Sequence, residues 1–474
     1  MSESSAAIDV RAGVGLLRVW AMPLSEPAVE VLAIAALCPI LLVVAFWNGF
    51  PLTFYDTGAY MFEGLGGHFV VERSPVYSLF LRFGGAGVNL WWIAILQAAM
   101  TAFVMVQTAR ALKPEMTLTY LAVIAGLLVM ATGLPWYVGQ IEPDCMTGIV
   151  VLAIYLLAFH TRKLGRWRVA LLVAVAAIAT GAHPSHLGLT AGLALALTIY
   201  RGWIWFSGRK DWPRANIVFP AISFVLGLAL VLSANFYFTR EFFVSRAGPV
   251  FIFARLVQDG IAKRELDAVC PQAHLQLCAY KDTLPKTADD WLWGVSPFAK
   301  LKRFEGTAAE SEFVVKDSLK RFPLQHLTAA LEDAATQFIT FKTGDQIEPQ
   351  EWILYPDLDH FIPRQMHAYM QARQQRGMVD FKPINRVHVL VGWLALAGLL
   401  AWLAAAIRFG RHRTSVFLGF ILTAMIGNAI ICGVTSNPHN RYQSRLIWLP
   451  AFALAVLVSE RHIAALRHFP KSGT

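Results

Sequence analysis

Ten apolar stretches dominate this chain, and each reaches or approaches the roughly 17–25 residues that cross a bilayer as a helix. They lie at about 29–48, 89–109, 117–134, 145–160, 169–182, 187–200, 216–238, 387–407, 415–433 and 446–459. A backbone that enters lipid must satisfy its own N–H and C=O groups, so these stretches predict helices. Those at 145–160, 169–182 and 187–200 are short, as expected of helices that stop at a water-filled cavity. Only 15% of the 474 residues are charged, against 56% hydrophobic. A soluble enzyme would carry about 25% charged residues, and disorder is excluded by the apolar content. The fold class expected is an all-α polytopic membrane protein of about ten transmembrane helices.

Charge distribution sets the orientation. With alternating spans and a cytoplasmic N-terminus, 18 basic residues fall in cytoplasmic segments. The short outer loops then carry only Arg73, Arg82, Arg441 and Arg445. That asymmetry obeys the positive-inside rule and places both termini in the cytoplasm. Residues 1–28 are mixed, with Arg11, Arg18, Pro23 and Glu26, and no small-residue cleavage site follows the first apolar run. A short interfacial helix is expected there instead of a cleavable leader. The predicted layout is a cytoplasmic segment 1–28, helices one to seven over 29–238 with an outer loop at 49–88, a mainly helical extracytoplasmic domain at 239–386, helices eight to ten over 387–460, and a tail at 461–474. The 239–386 segment holds 19 basic and 19 acidic residues, the balance of a folded soluble domain. Cys270 and Cys278 lie in it with seven residues between them, and a disulfide is expected if that compartment oxidises thiols.

No Gly-rich phosphate loop, dinucleotide fingerprint, zinc-protease His pair or Gly-x-Ser-x-Gly elbow occurs. Chemistry is therefore expected on the outer side, with a substrate that needs no cytoplasmic nucleotide site. Four polar clusters fall there. Loop 49–88 carries Asp56, directly after the first span, and later Arg73-Ser74-Pro75-Val76-Tyr77. A carboxylate at that depth is expensive unless it is paired, which makes Asp56 a functional candidate, with a helix cap as the alternative. Arg73 suits a carboxylate or a phosphate. Glu142-Pro143-Asp144 begins a span, where acids also complement the helix dipole. His183-Pro184-Ser185-His186 places two imidazoles around a turn, able to hold a metal or donate to phosphate. His439 precedes Arg441 and Arg445, whose i, i+4 spacing puts two guanidiniums on one helical face, an arrangement suited to phosphate or to snorkelling anchors.

Taken with the multi-span layout and the soluble outer domain, Asp56, Arg73-Ser74-Pro75-Val76-Tyr77 and Glu142-Pro143-Asp144 resemble the GT-C superfamily of integral-membrane glycosyltransferases. The paired-acid form of that family's first-loop motif is absent, since Tyr55 and Thr57 flank Asp56. The resemblance implies a multi-pass protein of the cell (inner) membrane. It implies a polyprenyl-phosphate-linked sugar as donor and an extracytoplasmic glycan, lipid or protein as acceptor. Asp56 would be the general base of an inverting transfer. Arg441 and Arg445, with His439, Arg73 or His183, would bind the donor phosphate. Glu142, Asp144, His183 and His186 would face the acceptor. A divalent metal on Asp56, Glu142, Asp144 or His183 is the alternative neutraliser of the phosphate. The rival functions are a lipid or glycan transporter, another outer-face group transferase, or a non-catalytic scaffold.

Overall fold

The computed structural model describes residues 20–24, 27–270 and 272–458. Most of the expected N-terminal interfacial helix and all of the 461–474 tail lie outside the described residues. The described chain is a helical membrane protein. Six helices are long and apolar enough to cross a membrane. They are α1 (Pro27–Asn48), α4 (Trp91–Leu112), α8 (Pro184–Ser207), α9 (Val218–Thr239), α16 (Phe381–Arg408) and α17 (His412–Thr435). Between them in chain order run α2 (Tyr55–Gly64), α3 (Pro75–Phe83), α5 (Leu118–Ala131), α6 (Met146–Phe159) and α7 (Arg166–Gly181). Then come α10 (Gly248–Gln258), α11 (Ile261–Val269), α12 (Ala288–Leu292), α13 (Arg303–Arg321), α14 (Pro323–Ile339) and α15 (Glu351–Phe361). Two more close the described chain, α18 (Asn440–Ser444) and α19 (Trp448–Leu457).

Four of the ten expected spans are therefore helices of 16 residues or fewer: α5, α6, α7 and α19. The stretch at 187–200, expected to be short, instead belongs to a helix of 24 residues. It gains three residues at its polar start and seven beyond Tyr200, where Arg201 interrupts the apolar run. Pro184 opens α8, and the ring of His183 accepts from the Ser185 N–H at 3.1 Å. Nearly every residue of α6 is buried, as suits a helix that is apolar on all sides. The outward faces of α9 and α16 carry Val225, Leu226, Leu230, Leu390, Leu394 and Leu400, all exposed. Exposed apolar surface on that scale needs lipid to cover it.

Loop 49–88 folds back on itself as two short helices. Gly49, at φ +85°, ends α1 in the left-handed conformation that glycine reaches without strain. At Gly64 a Cβ would lie 2.1 Å from the Ser78 carbonyl oxygen, so only glycine lets α2 and α3 approach this closely. Glu63, fully buried beside it, accepts from the Val70 N–H at 3.1 Å and bonds the Ser78 hydroxyl at 2.6 Å.

The segment expected as one soluble domain, 239–386, has two parts. Residues 247–314 have their own core around Phe253, Trp291, Phe298 and Phe304. Residues 341–372 instead join the main core through Phe341, Leu354, Leu358 and Tyr369. Charge balance alone cannot separate these parts, because both are polar on the outside. The Cys270–Cys278 disulfide is present in the first part.

Candidate functional site

Asp56 and Glu142 are brought together by backbone pairing. Leu52 donates to the Gly139 carbonyl at 2.9 Å and accepts from the Ile141 N–H at 2.8 Å. The Gln374 side chain holds both backbone groups of Thr53, accepting from its N–H at 3.0 Å and donating to its carbonyl at 2.9 Å. The Thr57 hydroxyl accepts from the Phe54 N–H at 2.9 Å and donates to the Ile141 carbonyl at 3.0 Å. The chain ahead of Asp56 therefore lies stitched to the chain ahead of Glu142. Asp56 occupies the first turn of α2, which suits an acid, but the Thr57 hydroxyl closes that turn.

Three arginines meet these acids. Arg73, just ahead of α3, is ion-paired with Asp56. Arg441 on α18 lies 3.9 Å from Asp56 and 3.7 Å from Glu142, with its guanidinium 4.3 Å from the Phe54 ring. Those distances are long for hydrogen bonds, and Arg441 Nη1 is buried without a hydrogen-bond partner. Arg445 donates to Asp144 at 2.6 Å, to the Ser185 hydroxyl at 3.0 Å and to Asn428 at 3.1 Å.

The two arginines expected to act as one clamp thus differ. The Arg445 side chain is fully buried and already holds Asp144, Ser185 and Asn428, which makes it a counter-ion inside the bundle. Arg441 keeps an unused donor. Its unmatched N–H groups are joined by Arg73 Nε, Arg445 Nε and Gln140 Nε2, all buried and without a partner. Buried donors left unmatched in this way are costly and favour an anion.

Electrostatics point the same way. Burial pushes the Glu142 carboxyl well above the usual carboxylate range, and the neighbouring Asp56 charge adds to the rise. Around it, Asp56 and Asp144 stand opposite three guanidiniums.

The imidazoles do not form a metal pair. Both nitrogens of His186 are engaged, with the Thr147 hydroxyl at 2.7 Å and the Ala179 carbonyl at 2.9 Å. His183 caps α8. Among the described residues no three His, Cys, Asp or Glu side chains are placed to hold a metal. Asp56 and Asp144 each face a guanidinium, so the donor set does not fit the expected divalent ion. His439 sits at the rim, 3.3 Å from Asp289 and 3.8 Å from Asp345.

Beside Arg73 lies a small cleft. Ser74, Gly181, Pro184, Leu187 and Val231 help to line it, so it reaches from the charge cluster to the flanks of α8 and α9. Gln374 and Asp345 carry no sequence signal, because isolated polar residues in loops have no periodicity. Comparison with family models, curated proteins and solved structures finds no match to this chain.

Proposed function

We propose that this protein is an integral-membrane glycosyltransferase of GT-C-like architecture, with about ten spans and both termini in the cytoplasm. It moves a sugar from a polyprenyl-phosphate donor to an acceptor on the outer side. The observation that carries this proposal is a buried cluster in which Asp56 lies between Arg73 and Arg441 while nearby N–H donors have no partner.

A donor phosphodiester carries one negative charge, which suits the unmatched guanidinium donors of the cluster. As it enters along the α8–α9 cleft, its oxygens compete with Asp56 for Arg73 and Arg441. Donor binding thereby frees the Asp56 carboxylate at the moment a base is needed. The acceptor hydroxyl gives its proton to Asp56, and its oxygen forms the new bond to the anomeric carbon. The bond from that carbon to the phosphate oxygen breaks, and the lipid phosphate leaves with the electron pair, held by Arg73 and Arg441. Attack opposite the leaving group inverts the anomeric configuration. Glu142, whose burial favours the protonated carboxyl and whose Oε2 is unmatched, is placed to donate to a sugar or phosphate oxygen.

Asp56→Asn keeps the shape of the side chain and removes the base. Transfer from a polyprenyl-phosphate sugar in lipid vesicles is expected to fall by about 10²–10⁴-fold, while thermal unfolding shows an intact protein. Full transfer by the Asn variant would end this assignment.

A further inference from the structure

Directly above the Asp56 clamp lies one turn of the outer part, α12, followed by Trp293 and Gly294. Asp289 and Trp293 are i, i+4 on that turn, tied by a Trp293 N–H to Asp289 carbonyl bond of 2.8 Å, so they share one edge. Each reaches a different arm of the clamp. Trp293 lies over the Arg73 guanidinium, 5.9 Å from its ring centroid, at the outer edge of cation–π range. Asp289 lies 3.4 Å from Asn437 and 3.3 Å from His439, the residues that lead into Arg441.

Asp289 ties Asn437 and His439 together through one carboxylate oxygen, and both Asp289 and Trp293 stay partly exposed. The Trp293 ring touches Phe304 at 6.0 Å and is 47% exposed, although the neighbouring Trp291 is fully buried in the outer core. The Asp289 carboxylate is 45% exposed. The half-exposed indole stands beside a carboxylate, an amide and an imidazole. That set is what a sugar ring requires. The C–H face of the ring packs on the negative face of the indole, and planar polar groups take the hydroxyls around its rim. A lipid tail would not need the fan of Asp289, Asn437 and His439.

We infer that the edge formed by Asp289 and Trp293, with Asn437 and His439, is a binding platform for a saccharide acceptor. Trp293 stacks on the ring and Asp289 holds a hydroxyl, which presents a neighbouring hydroxyl towards Asp56. The reaction, though not the binding, rests on the glycosyl-transfer proposal above.

The test uses the full-length protein in nanodiscs and saturation-transfer NMR with cellobiose, maltose, N,N′-diacetylchitobiose and a Ser/Thr-rich peptide as probes. At least one saccharide is expected to show transfer to its ring C–H protons. Trp293→Leu keeps the apolar contact with Phe304 and should weaken that saccharide about three- to tenfold, with Trp293→Phe recovering most of the loss. Asp289→Asn provides a second arm and should also weaken it, without depending on the indole. In a transfer assay, Trp293→Leu should raise the acceptor KM more than the donor KM. The inference is overturned if no saccharide signal depends on Trp293 or Asp289, if the peptide alone shows that dependence, or if the transfer loss lies only in kcat or in the donor KM. Asp56→Asn separates the two proposals. It should keep the saccharide signal while losing transfer. Retained transfer would remove the base assignment and leave the platform standing on binding alone.

Discussion

Arg441 and Arg445 share a residue type, a helical face and a neighbourhood, yet their environments give them different work. Arg445 offers its guanidinium to Asp144, Ser185 and Asn428, three fixed partners inside the bundle. Removing one member of a buried pair leaves the other charge uncompensated, at a cost of roughly 3–5 kcal/mol. Arg445→Met is therefore expected to lower the thermal midpoint and the folded yield, and a double Arg445→Met/Asp144→Leu variant should recover much of the loss. A single variant that unfolds like the parent would show that the pair adds nothing to stability. The i, i+4 spacing was enough to place both arginines near the acids. It could not reveal which acid each would meet, because Asp144 lies 301 residues from Arg445. Asp56 with Arg73, only 17 residues apart in the same loop, was more legible.

Among the elements, the α2–α3 pair decides how rigidly Asp56 is held. Its anchor is Glu63, whose carboxyl burial pushes up to about 7 against the pull of its Ser78 and Val70 hydrogen bonds. The folded state thus keeps a proton that the unfolded chain, near 4.5, has released. Stability from this group is fully present below about pH 4.5 and is lost as pH rises through about 7, an upper limit of about 3 kcal/mol. A thermal midpoint that falls between pH 5 and pH 8 is expected for the parent protein. Glu63→Gln can still accept from Val70 and donate to Ser78, so its midpoint should stay flatter over the same interval. Equal slopes for the two proteins would remove Glu63 as the source. Helix positions were the most legible part of the fold, since apolar runs leave a clear trace. Lengths were less so. α8 continues past Arg201, whose charge interrupts the apolar run but whose guanidinium donates to the Ala215 carbonyl in the segment after the helix. α6 hides its limits for the opposite reason, being apolar on every side.

For the molecule as a whole, the proposed orientation makes a plain prediction. α8 begins at the candidate site and has 24 residues, so Gly208 beyond its far end lies about 35 Å away, the thickness of a bilayer core. Val295, fully exposed, lies on the site side in the loop after α12. A cysteine at Val295 should react with a membrane-impermeant maleimide in intact cells, and a cysteine at Gly208 only after the membrane is opened. The reverse pattern would invert the orientation and move the site to the cytoplasm. The two-part outer segment was not legible, because 341–372 joins the main core through residues such as Leu354 and Leu358 that resemble any amphipathic helix.

The pairing of Asp144 with Arg445 also has a consequence for biosynthesis. The ribosome must add some 300 residues after Asp144 before Arg445 exists, which at 5–20 residues per second takes about 15–60 seconds. Through that interval the turn just ahead of α6 carries an acid whose partner has not been made. A chain released early, short of its final helix, would expose that unanswered charge in lipid, a mark by which membrane quality control can tell the unfinished product from the finished one.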